Sequence, residues 1–230
     1  MAFYGLPPLS QYYILLEILV MKMWDALKYY KTQPLAVRLY IAIRPVIVDF
    51  NRILGFFPAD ANSIMELACG YGITSFAMAN RYKGTPIRSY DIDAKRIAIL
   101  NSINPYRHLS FHHENILDIR EFTSDVIFMS DLLHHLTYPQ QENLLKRIHA
   151  TAPSGVVLLI KDMDKGRYSF RQFLNYMIDI LHTGEFRFSY RARDSFVGLF
   201  TSCGFKVKRT VYVNKWFIPL NHVFFILGKE

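Results

Sequence analysis

Only two cysteines, Cys69 and Cys203, occur in the 230 residues. Two thiols cannot build a disulfide framework, so a reducing, cytoplasmic setting is the expectation. A long uninterrupted hydrophobic run is missing as well. The longest apolar stretch, Tyr12 to Trp24, is broken by Glu17 and Lys22, and it is shorter than the ~20 residues that a membrane-crossing helix needs. Met1 to Ser10 carries no basic residue and is interrupted by Pro7 and Pro8, so no secretory signal is read there. Repeats and low-complexity tracts are absent. Charged residues make up 20% of the chain and hydrophobic ones 51%. That balance excludes disorder and supplies the core of one α/β domain with a small helical addition.

What is present is unevenly charged. The net charge is +8, and residues 161–230 hold twelve Lys/Arg against six Asp/Glu. The basic excess at the C-terminal end suits an anionic acceptor, an anionic membrane surface or RNA, and equally a solvated basic face.

Residues 1–60 read as a helical extension. From Ser10 to Tyr30 there is no Gly or Pro, and Glu17, Lys22, Asp25 and Lys28 fall on one side of a helix. A broad apolar side opposes them, through Ile14, Leu15, Ile18, Leu19 and Met21. It suits packing on the domain or peripheral contact with the inner face of a membrane. A second helical stretch, Leu35 to Leu54, is expected to kink or divide at Pro45.

From Asp60 onward strands and helices alternate. Strands are predicted over 63–68, 86–91, 108–113, 124–129 and 155–160, with helices over 73–81, 94–102 and 139–151. A helix ending at Cys203 and Gly204, capped by Asp194, and closing strands over 205–213 and 222–227 complete the chain. The pattern predicts a doubly wound α/β fold with a mostly parallel seven-stranded sheet in residues 61–230.

Glu66-Leu-Ala-Cys-Gly70-Tyr-Gly72 sits where the first strand turns into a helix. Glycines there let backbone approach a ligand closely, and the helix start offers N–H groups. Ser75 stands where a dinucleotide fingerprint has its third glycine, which disfavours nicotinamide. No Lys-Ser/Thr pair follows, which excludes a phosphate-cradling P-loop. About 20 residues on, Asp91 ends the next strand, where an acidic side chain can accept ribose hydroxyls, and Asp93 is placed to cap the following helix.

Several segments together resemble the class I S-adenosylmethionine-dependent methyltransferases. They are Ile64-Met-Glu-Leu-Ala-Cys-Gly-Tyr-Gly72, Ser89-Tyr-Asp-Ile-Asp93, Phe111-His-His-Glu-Asn-Ile-Leu-Asp118, Asp125 to Leu136 and Ser154 to Asp162. They follow the family's order of motifs. The resemblance implies S-adenosylmethionine as cofactor. It implies that Glu66 organises the glycine loop and that the backbone of Ala68, Gly70 and Gly72 faces the methionine part. It further implies that Asp91 holds the ribose, Ile92 and Ile116 pack on the adenine, Asn115 bonds its amino group and Ser130 lies near the sulfonium. The family usually has Asp where this chain has Asn115, and often Asp where it has Glu66.

Leu133-His-His135-Leu resembles the Leu-His-Asp-Trp setting of the plant phenolic O-methyltransferases, which makes His134 and His135 candidates for a general base or for pocket-shaping. No metal is expected, since Asp162, Asp164, His112 and His113 lack a diagnostic ligand spacing. The fourth segment lacks the Asn/Asp-Pro-Pro-Tyr/Phe of adenine enzymes, which points to the small-molecule branch. Ile160-Lys-Asp-Met-Asp-Lys165 is also similar to methyltransferases of polyene and lipid-like pathways. The resulting expectation is O-methylation of an apolar or carrier-linked acceptor. The aromatics of 12–30 and of an insert over 163–192 would cover its pocket. An RNA methyltransferase and a non-catalytic binding partner of the same fold are the alternatives.

Overall fold

The computed structural model describes residues 25–165, 188–213 and 221–229. Its centre is a seven-stranded sheet. The strands are β1 (Ile64–Leu67), β2 (Ile87–Asp91), β3 (Leu109–His113), β4 (Val126–Ser130), β5 (Val157–Met163), β6 (Lys206–Tyr212) and β7 (His222–Gly228). Their order is β3-β2-β1-β4-β5-β7-β6. All neighbours pair in parallel except β7, which runs antiparallel to both β5 and β6. Strands β1 and β4 carry no polar alternation because helices cover both faces, and every residue of β1 is buried.

The helices are α1 (Leu35–Ile47), α2 (Phe50–Leu54), α3 (Ile73–Arg81), α4 (Ala94–Ile103), α5 (Tyr138–Thr151) and α6 (Arg193–Ser202). Two clusters of buried side chains fill the two faces. One joins Tyr30, Ile41, Phe50 and Ile53 of the N-terminal segment to Phe76, Phe111, Phe128 and Phe224. The other joins Met65, Ile127, Leu144, Phe196, Phe200 and Phe225. The described part of the N-terminal segment thus shares its core with the sheet.

Four boundaries differ from expectation. Residues Asp25–Tyr30 form a tight 3-10 turn and not the end of a continuous α-helix. The chain reverses there, with Gln33 N–H bonded to Tyr30 C=O and the Tyr30 ring pinned against Phe76. Helix α1 continues through Pro45 and stops at Val48, whose extended backbone separates it from α2, and Asp49 caps α2 by accepting from Arg52 N–H at 3.1 Å. Asp194 lies inside the first turn of α6 and does not cap it. Instead Asp164 accepts from Arg193 N–H at 2.9 Å. Strand β5 runs three residues beyond Ile160 because β7 pairs with it as far as Met163.

On β6, an edge strand, Lys206, Lys208 and Arg209 are exposed. Positive charge there discourages edge-to-edge pairing with another chain, which accounts for part of the basic excess. The apolar helix face expected over 10–24, the aromatics Tyr168, Phe170, Phe173, Tyr176 and Phe186, and most of the 163–192 insert lie outside the described residues. The neck of that insert is tied shut by Lys165 N–H on Arg191 C=O at 2.9 Å.

Candidate active site

The loop after β1 concentrates left-handed backbone more than any other loop among the described residues. Ala68, Gly70 and Gly72 all take positive φ, at 59°, 57° and 68°. Ala68 does so with a Cβ, at a cost of about 1 kcal/mol or more, and such strain concentrates at functional loops. Gly72 precedes α3 where the loop packs tightly: an added Cβ would lie 2.7 Å from Leu100 Cδ2 and 3.2 Å from Phe111 Cε1. Gly70 is the opposite, since a Cβ there would meet nothing within 4 Å. Its backbone borders open space.

That space is a cleft of about 340 Å³ at the C-terminal ends of β1, β2 and β4, where open α/β sheets bind their ligands. Glu66, Ala68, Gly70, Asp91, Ile92, Ser130 and His135 line it. Gly72, Asn115, Ile116 and His134 are not in its wall. Asn115 is half-buried and uses its side-chain oxygen to accept Leu117 N–H at 3.0 Å, while Ile116 is buried in the core.

Glu66 accepts hydrogen bonds from Ser75 and, at 3.0 Å, from Ser89. Ser75 is therefore occupied in holding this carboxyl, which explains a serine at the third-glycine position. Burial pushes the Glu66 carboxyl up to about 7, with the two serine bonds pulling the other way. Asp91 accepts Gly70 N–H at 2.7 Å on one oxygen and Asp93 N–H at 2.9 Å on the other, so it fastens the two loops to each other. Asp93 caps α4 as expected, accepting from Lys95 and Arg96 N–H.

The far side of the cleft comes in part from the N-terminal helices and the start of the 163–192 insert, both expected to cover a pocket, though none of their lining residues was singled out. Helix α1 contributes Tyr40, Arg44 and Ile47, α2 contributes Phe50, β5 contributes Met163 and β7 contributes His222. The aromatics Tyr29 and Tyr30, expected over the pocket, pack instead on Phe76 and Tyr106. Asp131, just past β4, stands at φ 55°. Its carboxylate meets Lys161, which is fully buried, and Arg44 at 2.8 Å. Burial alone would raise the Asp131 carboxyl, but Lys161 and then Arg44 hold it well below the usual range. Burial pulls Lys161 down, with Asp131 opposing, and holds the His222 imidazole well below its ordinary value. The signal for this cluster was available: the charged pair Lys161-Asp162 interrupts the apolar run of β5.

The two candidate histidines take different places. His134 is fully buried and its Nδ1 lies 2.6 Å from Asp162 Oδ1. It stacks on Tyr190 with ring centroids 5.2 Å apart. Asp162 also accepts Leu133 and Met163 N–H at 2.9 and 2.7 Å, so it anchors the whole 133–135 turn to β5. His135 stands on that turn, packed 4.2 Å from the His134 ring centroid, and faces the cleft. Asp162 and Asp164 are committed to separate partners, and no three candidate metal ligands gather among the described residues.

Residues 42–210 match the family model described as a methyltransferase domain. No curated protein matches the chain by sequence. Among solved structures, the pyocyanin biosynthetic protein PhzM is 14% identical, with a TM-score of 0.67 over 90% of this chain. The mitomycin 7-O-methyltransferase MmcR is 13% identical, with a TM-score of 0.66 over 94% of this chain. This chain spans 62% of the length of the first and 67% of the second. A methyltransferase from Methanosarcina mazei, 17% identical, is spanned over 96% of its length and covers 77% of this chain, with a TM-score of 0.59. The matched domain, the strand order and the glycine loop bordering an open cleft agree, and the chain belongs to the class I S-adenosylmethionine-dependent methyltransferases.

Proposed function

We propose that the chain methylates an oxygen of a small-molecule acceptor, and that the cleft receives cofactor and acceptor side by side. The observation that carries this reading is the continuity of that cleft from the left-handed glycine loop and Asp91 to His135. The residues present fit the cofactor. Gly70 leaves room for a ligand where any side chain would intrude, and Asp91 offers a carboxylate for paired ribose hydroxyls. Ile92, 67% exposed, supplies an apolar surface for the adenine. Asn115 and Ile116, expected beside the adenine, follow β3 outside the wall of the unliganded cleft. Glu66 and Ser130 border the methionine end.

Bound S-adenosylmethionine supplies an already activated methyl group, so the protein's work is to align the acceptor, exclude water and take up a proton. His135 fits the last role, because it faces the cleft and an imidazole nitrogen can accept a proton. His134, clamped by Asp162, is a positioning residue that fixes the turn. The acceptor wall mixes Tyr40, Ile47, Phe50, Leu132 and Met163 with Arg44, Asp131 and His222. That supports an acceptor with an apolar body and a polar functional edge. The structural likeness to MmcR, a mitomycin 7-O-methyltransferase, supports oxygen as the nucleophile. The exposed basic residues of β6 give the RNA alternative no support of their own.

The test is calorimetric titration of the protein with S-adenosylmethionine and S-adenosylhomocysteine, beside Asp91→Ala. Binding by the parent and a loss of at least about tenfold in the variant, roughly 1.4 kcal/mol, are expected. Absence of binding by folded parent overturns the cofactor assignment.

A further inference from the structure

We infer that Asp131 is the residue that orients the acceptor, and that it selects acceptors carrying a second hydrogen-bond donor beside the oxygen to be methylated. The inference rests on the methyltransferase reading of the cleft. It starts from three independent features. Asp131 follows Ser130 at the C-terminal end of β4 and lines the cleft, with 15% of its side chain exposed. Its φ of 55° is left-handed, a conformation a non-glycine residue keeps only where its surroundings enforce it. It is also the partner of a fully buried lysine, Lys161, in the middle of the sheet.

A buried ion pair is a poor device for stability, because desolvation offsets most of the attraction. An apolar residue at 161 would serve β5 better. What the pair does achieve is a carboxylate fixed in direction and ionised. Arg44 from α1 and Lys161 from β5 hold it and favour the charged form, while His222 from β7 and His134 from the adjoining turn are its other titratable neighbours. Such a carboxylate is a weak base, so it does not compete with His135 for the acceptor's proton. It is a strong hydrogen-bond acceptor. An ionised carboxylate has about four acceptor sites. Lys161, Arg44 and, at 3.4 Å, Ser130 Oγ reach it among the described residues. A donor on the acceptor, a neighbouring hydroxyl or amine, completes the set and sets the angle at which the reacting oxygen enters.

The probes are catechol and phenol, which differ only in the second hydroxyl, titrated into the S-adenosylhomocysteine complex. Catechol is expected to bind at least about fivefold more tightly. Asp131→Asn, which tolerates the left-handed backbone, should bring the two within about twofold while affinity for S-adenosylhomocysteine stays within about twofold of the parent. In Lys161→Met the preference should survive at pH 8 and fade toward pH 5.5, as Asp131 takes a proton, whereas the parent keeps it throughout. This second variant carries the test if Asp131→Asn does not fold. Equal affinity for the two probes in the parent, failure of both to bind the complex, or a preference that persists unchanged in the variants overturns the inference. Loss of S-adenosylhomocysteine binding by the parent would instead strike the cofactor assignment.

Discussion

Glu66 makes the most direct claim on measurement, because its environment couples the glycine loop to pH. The carboxyl is 3% exposed, lies between Ser75 and Ser89, and is raised from 4.5 to about 7. A carboxyl whose folded value lies above its unfolded one stabilises the fold fully below pH 4.5, and that contribution is lost as pH rises through 7. Converted at 1.36 kcal/mol per unit, the shift corresponds to about 3 kcal/mol, of which roughly 2.5 kcal/mol falls between pH 5 and pH 8. Glu66→Gln keeps the size and the hydrogen-bonding capacity but cannot ionise. Urea unfolding of parent and variant should therefore show their stability difference moving in the variant's favour by roughly 2.5 kcal/mol from pH 5 to pH 8. Taking the difference removes the histidines, which both proteins share. Parallel pH dependences would refute the claim that Glu66 is protonated near neutrality in the unliganded fold.

The remaining predictions concern geometry. Replacing His135 by Gln should lower turnover with an identified acceptor by about 10²–10⁴-fold, with less than about 1 kcal/mol of stability change. His134→Ala should cost about 3 kcal/mol in urea unfolding, because it leaves the buried Asp162 without its side-chain partner. Gly72→Ala should destabilise by about 2 kcal/mol or more, since its Cβ would sit 2.7 Å from Leu100 at an unfavourable φ. Gly70→Ala should fold with a smaller loss and show its effect on S-adenosylhomocysteine affinity. Equal stability losses for the two glycine variants would contradict the difference in their surroundings.

The sheet was legible because parallel strands buried on both faces must be apolar runs, and the helices between them must show their own period. The glycine loop and Asp91 were legible because they lie in one short stretch of chain, where spacing alone reports geometry. Helix α1 carries Pro45 in its last turn and ends at Val48, so the break falls three residues after the proline and not at it. Asp194 failed as a cap because Asp164, about 30 residues away, reached the helix start first, and no local pattern encodes such a partner. The acceptor wall was illegible for the same reason. Arg44, Asp131, Lys161 and His222 come from four separate elements, and only the register of β4, β5 and β7 and the cover of α1 bring them together.

That split follows from the work each half does. A cofactor of fixed shape is recognised by backbone at one strand-to-helix turn, which confines its signature to a few neighbouring residues. An acceptor is recognised by side chains converging from the ends of several strands and a covering helix. Each position can change there without disturbing a local motif. The cluster around Asp131 has one feature that a sequence does expose, a lysine beside Asp162 in a mostly apolar strand. Charge placed where burial penalises it has to be matched by charge nearby; Asp162 is taken by His134, and the acid that meets Lys161 comes from the end of β4. Asp131 fills that role, and its left-handed backbone carries the carboxylate of the pair to the wall of the cleft.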